Sequence, residues 1–219
     1  MERTLLGYDI KYHPKYYVDS DWNKKRRSMF LLDANTKWPL SVDNNVWPSV
    51  FHYSFIESEF PNCQDMEKIM VKSKDTMNWA LELWKEKDKM VEYYCHEREC
   101  MQENIVIIAE TLVTRFIPTI DSYWQMALDM PVKSLEDISG WEFLGYDIAD
   151  QDGLSGLTNC GYEKEESELL RILWSTRLNE YGLIKNIGDA EEMLALSDKR
   201  ISEHSPFYIY GIYSENPIK

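Results

Sequence analysis

Residues that mark a stapled, flexible or membrane-spanning chain are scarce in this sequence. Four cysteines at positions 63, 95, 100 and 160 of 219 follow no framework spacing. A chain of this size can build a core without staples, so they read as reduced thiols of a cytoplasmic protein. Nine glycines and eight prolines are too few for a low-complexity or disordered chain. The longest aliphatic run, Ile105 to Ala109, falls far short of the roughly 20 residues a membrane span needs. The N-terminus places Glu2 ahead of Gly7 and Asp9, which is not the basic-then-apolar layout of a signal peptide. Neither a phosphate-binding glycine loop followed by Lys-Ser or Lys-Thr nor a dinucleotide fingerprint is present, which excludes nucleotide binding by those two routes.

Positive charge is also scarce: 24 Lys and Arg stand against 38 Asp and Glu, giving a net charge of −14. A general nucleic-acid binder needs clustered bases to displace counterions, and an anionic membrane surface needs the same, so both are excluded as partners. The one cationic cluster, Lys24 to Arg27, reads as a solvated turn balancing Asp19 and Asp21. What the chain does have is apolar and aromatic substance, 44% hydrophobic residues with 8 Trp and 14 Tyr, enough for a folded core.

The pattern predicts a helix-rich α+β protein with a small, mostly antiparallel sheet, in a single domain spanning 1–219. Its irregular N-terminal part covers 1–62, where Pro14, Pro39, Pro48 and Pro61 break short apolar runs. A helical part covers 63–133. From Asn62, the positions Met66, Ile69, Met70, Met77, Ala80, Leu81, Trp84, Val91, Tyr94 and Cys95 recur at helical spacing. A second helix is expected over Gln102–Phe116, with Ile105, Ile108, Ala109, Leu112, Val113 and Phe116 inward and Pro118 ending or kinking it; the period resumes over 119–129.

An acidic strand-loop-helix part covers 134–219. Ser134 to Asp137 suits a short capped turn, Trp141 to Ala149 a strand, and the glycines at 153, 156 and 161 a loop. Lys164 to Tyr181 suits a helix with Leu169, Leu170, Leu173, Trp174, Leu178 and Tyr181 inward, and Gly182 stands where a left-handed cap belongs. Asp189 with Glu192 suits the cap of a last helix running to about Glu203, and Phe207 to Tyr213 is strand-like. The pentamer Leu6-Gly-Tyr-Asp-Ile10 recurs as Leu144-Gly-Tyr-Asp-Ile148, which fits either equivalent strands or coincidence.

Catalytic readings are weak. His96 and Cys100 fall four apart on a helical face, with Glu97 between them, but no third ligand motif follows, so Cys95, His96 and Cys100 read as structural and no metal is expected. Cys160 sits among Ser155, Gly156 and Gly161 without a strand-turn-helix elbow or a local histidine partner. A small hydrolase using Cys160 or a Cys/His metal site remains the alternative, as does an acidic adaptor. No cofactor is expected.

The charge is unevenly placed. Residues 1–62 are balanced, whereas Glu136 to Glu168 hold ten carboxylates (Glu136, Asp137, Glu142, Asp147, Asp150, Asp152, Glu163, Glu165, Glu166 and Glu168) against Lys164 alone. A solvated acidic face explains this; so does a docking surface for a basic partner, since Trp141, Phe143, Tyr146 and Tyr162 are interleaved as anchors. The segments Trp141-Glu-Phe-Leu-Gly-Tyr-Asp-Ile-Ala-Asp150 and Leu154-Ser-Gly-Leu-Thr-Asn-Cys-Gly-Tyr162 resemble a stretch of bacterial immunity proteins, the antidotes of contact-dependent growth inhibition and other polymorphic toxin systems. The resemblance covers about 20 residues. It implies a cytoplasmic, non-catalytic protein that blocks one cognate toxin domain, often a nuclease with a basic groove. The residues expected to meet the toxin are Glu142, Tyr146, Asp147, Asp150, Asp152, Tyr162, Glu163, Glu165 and Glu166.

Overall fold

The structure is a computed structural model that describes residues 3–12, 77–78, 83–91, 105–113, 134–150, 155–157, 169–170, 172–174, 176–201 and 204–216. Six strands, β1 (Thr4–Tyr12), β2 (Met77–Asn78), β3 (Leu83–Trp84), β4 (Ile105–Leu112), β5 (Glu142–Ala149) and β6 (Tyr208–Ser214), form one sheet in the order β2-β3-β1-β4-β6-β5. Every pairing in it is antiparallel.

A helix-rich protein is not what the chain forms: among the described residues, strand positions outnumber helical ones. The expected helix over Gln102–Phe116 is instead β4, whose sequence Ile-Val-Ile-Ile-Ala-Glu-Thr-Leu is rich in β-branched residues. Because β4 lies between β1 and β6 and is covered on both faces, its apolar residues run continuously, and a continuous run satisfies helical spacing as readily as it satisfies a strand. The expected helix from Asn62 to Cys95 is also broken. Met77 pairs with Trp84 and Asn78 with Leu83, a chain reversal that no helix contains, and among the described residues up to Cys95 the helical ones are 87–91.

The last helix, α1 (Ile187–Arg200), is capped three residues before the predicted cap Asp189. Asn186 is the cap: its side chain accepts the Asp189 N–H at 3.0 Å. Ser134 caps the 3-10 turn Leu135–Ile138 as its sequence suggested, accepting from Glu136 N at 3.0 Å. Strands β5 and β6 fall within one residue of their predicted bounds. The expected helix over 164–181 ends early, because Leu178 bridges Ile184 and Asn179 N donates to Leu183 O at 2.9 Å. Gly182 does adopt a left-handed conformation (φ 71°), but in that reversal rather than at a helix end.

The pentamer echo is structural. Strand β1 pairs with β4, and β5 with β6, in matching registers: Gly7 opposes Glu110 and Gly145 opposes Ile212, and each ladder is interrupted just before its glycine, between Leu5 and Gly7 and between Phe143 and Gly145. Both glycines lie under a reversal that brings backbone close. A Cβ would come 2.7 Å from the Leu83 Cβ at Gly7 and 2.7 Å from the Leu183 Cβ at Gly145. Tyr8 pairs with Trp84, and Tyr146 with Ile184. The same backbone step opens the helix after each: Met90 N donates to Glu86 O and Ala190 N to Asn186 O. The β4–β6 ladder closes the symmetry, since Ala109↔Tyr213 and Thr111↔Gly211 flank Glu110↔Ile212 reciprocally. Two copies of a strand-hairpin-helix-strand unit are thus related by a pseudo-two-fold through the Glu110–Ile212 pair.

Strand alternation divides the core. Tyr8, Ala109, Ile10, Trp84 and Met90 pack together in the first half, and Tyr146, Ile148, Trp174, Ala190 and Met193 in the second. A third cluster, including Leu6, Val106, Ile108, Leu144, Tyr210 and Ile212, draws on strands of both halves.

Candidate functional site

The resemblance motif folds around the C-terminal half of β5. Asp147 is fully buried, and its Oδ1 accepts from the Ile148 N–H at 2.8 Å and from the Ser155 hydroxyl at 2.6 Å. Ser155 Oγ in turn accepts the Leu157 N–H at 3.1 Å, and Gly156 N donates to Ile148 O at 2.6 Å. The Ser-Gly-Leu segment is therefore clasped to the strand, and Leu157 enters the second-half core. Asp150 is 3% exposed and meets His204 Nδ1 at 3.1 Å, while Tyr210 donates to its backbone carbonyl at 3.0 Å. On the far side of Gly145, Asn179 donates to Leu144 O at 2.6 Å and accepts from the N–H groups of Tyr181 and Leu183.

At the N-terminal end of β5 the side chains open outward. Glu142 is exposed, and so is Phe143. Phe143 meets Tyr146 and Tyr213 edge-on or tilted, with ring centroids 4.9 and 5.1 Å away, and the Arg3 guanidinium lies over all three rings. Arg3 also donates to the Tyr146 hydroxyl at 2.6 Å and to the Tyr213 hydroxyl. Cation–π contact and charged hydrogen bonds together hold the start of β1 across β5 and β6. Trp141, the symmetry equivalent of Arg3, reaches the other way and packs on Tyr8 with centroids 5.7 Å apart.

Exposed carboxylates surround this seam. Burial pushes the Tyr8 phenol up to about 12, and the charges of Asp137, Asp88 and Glu215 add to it. The Tyr181 phenol is likewise raised, first by burial and then by Glu180 and Glu142. Lys87 answers part of the charge through its ion pair with Glu215. Glu136, Asp137 and Glu142 are all exposed, with Leu135 and Phe143 as exposed apolar neighbours in sequence.

The predicted contact residues divide accordingly. Glu142 is at the surface. Tyr146, at 5% exposed, and the buried Asp147 and Asp150 are spent inside the fold, where a partner cannot touch them without rearrangement. Asp152, Tyr162, Glu163, Glu165 and Glu166 lie outside the described residues, as do Cys95, His96, Cys100, Cys160 and the Lys24–Arg27 cluster. Sequence reading missed Arg3, whose role depends on a strand crossing, and the exposure of Leu169, Ile172 and Leu173. The six apolar positions spread over 169–181 left no way to tell which face turned inward.

Ser155 hydrogen-bonds Asp147, and His204 meets Asp150; these are separate contacts, not a nucleophile-base pair. Among the described residues no helix is long and apolar enough to cross a membrane. Comparison with protein-family models, curated proteins and solved structures finds no match.

Proposed function

We propose that the chain is an antidote of the immunity-protein kind, which binds and neutralises a cognate toxin domain, a basic RNase or DNase, by occluding its active site with an acidic surface. It acts as a binding protein, not an enzyme, in the cytoplasm. The observation that supports this most is the charge placement: ten carboxylates against one lysine between Glu136 and Glu168, within a total of −14. A groove built for phosphates is electropositive, and carboxylates can occupy it where phosphates would lie. Close charge pairs across such an interface couple by about 1.5–7 kcal/mol and speed association, which an antidote needs.

Burial revises the contact set. Tyr146, Asp147 and Asp150 lie inside the fold and leave the contact set; the exposed Glu142 stays in it, and the sequence alone supplies Asp152, Tyr162, Glu163, Glu165 and Glu166. The test takes as its probe the C-terminal domain encoded by the neighbouring open reading frame, which this reading expects to be a small basic domain ending a large secreted protein. Charge reversal at Asp152, Glu165 and Glu166 to Lys is expected to slow association at least tenfold at low salt, with circular dichroism unchanged. Association at the wild-type rate would overturn the assignment.

A further inference from the structure

The pseudo-two-fold gives the molecule an internal comparison. Each half sends a side chain across the seam from equivalent positions, Arg3 from the first and Trp141 from the second, and the two are received differently. Trp141 meets the ring of Tyr8, while the positions equivalent to Phe143 and Tyr213 are Leu5 and Thr111. The cation on that side, Lys87, lies 6.0 Å from the Trp141 ring and has a carboxylate partner in Glu215. Arg3 instead lies over three rings, 5.0 Å from Phe143, 5.4 Å from Tyr146 and 5.7 Å from Tyr213, and its two terminal nitrogens donate to the Tyr146 and Tyr213 hydroxyls. In a chain with 38 acids, no described carboxylate pairs with it. A tie between the halves does not need this enclosure, since Trp141 makes one where Leu5 and Thr111 carry no ring. Three rings and two phenolic oxygens around one guanidinium are the chemistry of a cation-binding cage.

We propose that Phe143, Tyr146 and Tyr213 form a binding site for an arginine side chain of a partner protein, which Arg3 fills in the free protein and yields on binding. Arg3 is a replaceable occupant for two reasons. It precedes β1, whose ladder opens at Thr4↔Leu112, so its departure breaks no strand pairing. It also leaves no described carboxylate behind, so an incoming guanidinium restores every contact that the outgoing one gave up. Phe143 is exposed at the mouth of the cage, and the Tyr146 hydroxyl is met only by a group standing where Arg3 stands. The two phenols accept from two different nitrogens of one planar group, Nη2 to Tyr146 and Nη1 to Tyr213, a fork that a guanidinium presents and an ammonium does not, so the site selects arginine over lysine. This chemistry calls for a basic partner and does not depend on that partner being a toxin.

The test titrates N-acetylarginine amide into the full-length Arg3→Ala variant, with N-acetyllysine amide in parallel at equal ionic strength. The arginine compound is expected to bind with a dissociation constant on the order of 1–10 mM, to raise the melting temperature saturably by about 3 °C at tenfold that concentration, and to bind at least fivefold more tightly than the lysine compound. Arg3→Ala/Phe143→Ala should show no such rise. The unaltered protein supplies a second measurement that requires no variant to fold. Its Arg3 side-chain proton resonances, displaced by the three rings, should move toward the values of a solvated arginine as the compound reaches about 100 mM, because a tethered group competes at an effective concentration in the millimolar range. Arg3 resonances that stay in place throughout the titration would overturn the proposal and leave Arg3 as a fixed tie. A melting-temperature rise shared equally by the ring-deleted variant, or equal responses to the arginine and lysine compounds, would overturn it as well.

Discussion

Tyr8 shows how a single residue registers the surrounding charge. It is 2% exposed and packed at a tilt against Trp141, and its phenol is raised to about 12, first by burial and then by Asp137, Asp88 and Glu215. An unfolded tyrosine titrates near 10. Below pH 10 both states carry the proton and the contribution to stability is complete. As pH rises from 10 to 12 the unfolded chain releases its proton first, so stability falls through that window. At about 1.4 kcal/mol per pKa unit the loss approaches roughly 2–3 kcal/mol. Urea unfolding at pH 9.5, 10.5 and 11.5 should show a steeper fall for the wild type than for Tyr8→Phe; parallel slopes would show that Tyr8 does not titrate in this window. At this scale the sequence was least legible. Asp147 and Asp150 belong to a run of acids that looks uniformly solvated, and only the Ser155 clasp and the His204 contact show that they are internal.

Elements were legible where one period prevailed and illegible where two periods fitted. Strands β5 and β6 carry alternating aromatic and aliphatic residues bounded by turns, and both appear where the pattern put them. Strand β4 carries eight residues with apolar side chains on both faces, so its periodicity is uninformative and only its Ile and Val content pointed to a strand. The hairpin of β2 and β3 was hidden because Met77, Leu81 and Trp84 mimic a helical stripe. At the start of α1 both Asn186 and Asp189 are good capping types, and three residues separate them; the Asn186 side chain accepts the Asp189 N–H, which places Asp189 inside the first turn. Asn186→Ala should therefore cost about 1 kcal/mol, and Asn186→Ser much less. In a chain of this length that is a fall of about 2–4 °C in Tm by calorimetry. An alanine variant as stable as the wild type would move the cap elsewhere.

Across the whole molecule, the pentamer repeat was the visible trace in sequence of a pseudo-two-fold that the strand registers show and little else in the sequence records. Beyond Leu-Gly-Tyr-Asp-Ile the halves share little more than Leu83 with Leu183 and Lys85 with Lys185, because register and burial constrain only a few positions. Those few are the glycines beneath the reversals and the acids that accept the N–H of the next residue in their own strands: Asp9 from Ile10 N at 2.7 Å, as Asp147 from Ile148 N. The halves are also interlocked. Arg3 from the first binds Tyr146 and Tyr213 of the second, Trp141 from the second packs on Tyr8 of the first, and β4 and β6 join them in one sheet. Two copies that exchange contacts across a shared sheet should unfold together, since neither can lose its strands without uncovering the other's core. In urea, the fluorescence of the eight tryptophans, Trp84, Trp141 and Trp174 of the described core among them, should share one midpoint with far-ultraviolet circular dichroism. Arg3→Ala removes charged hydrogen bonds that are each worth about 1.5–3 kcal/mol. It should lower that midpoint without splitting the transition, whereas two resolved transitions in either protein would mean that the halves are stable separately and that the seam merely joins them.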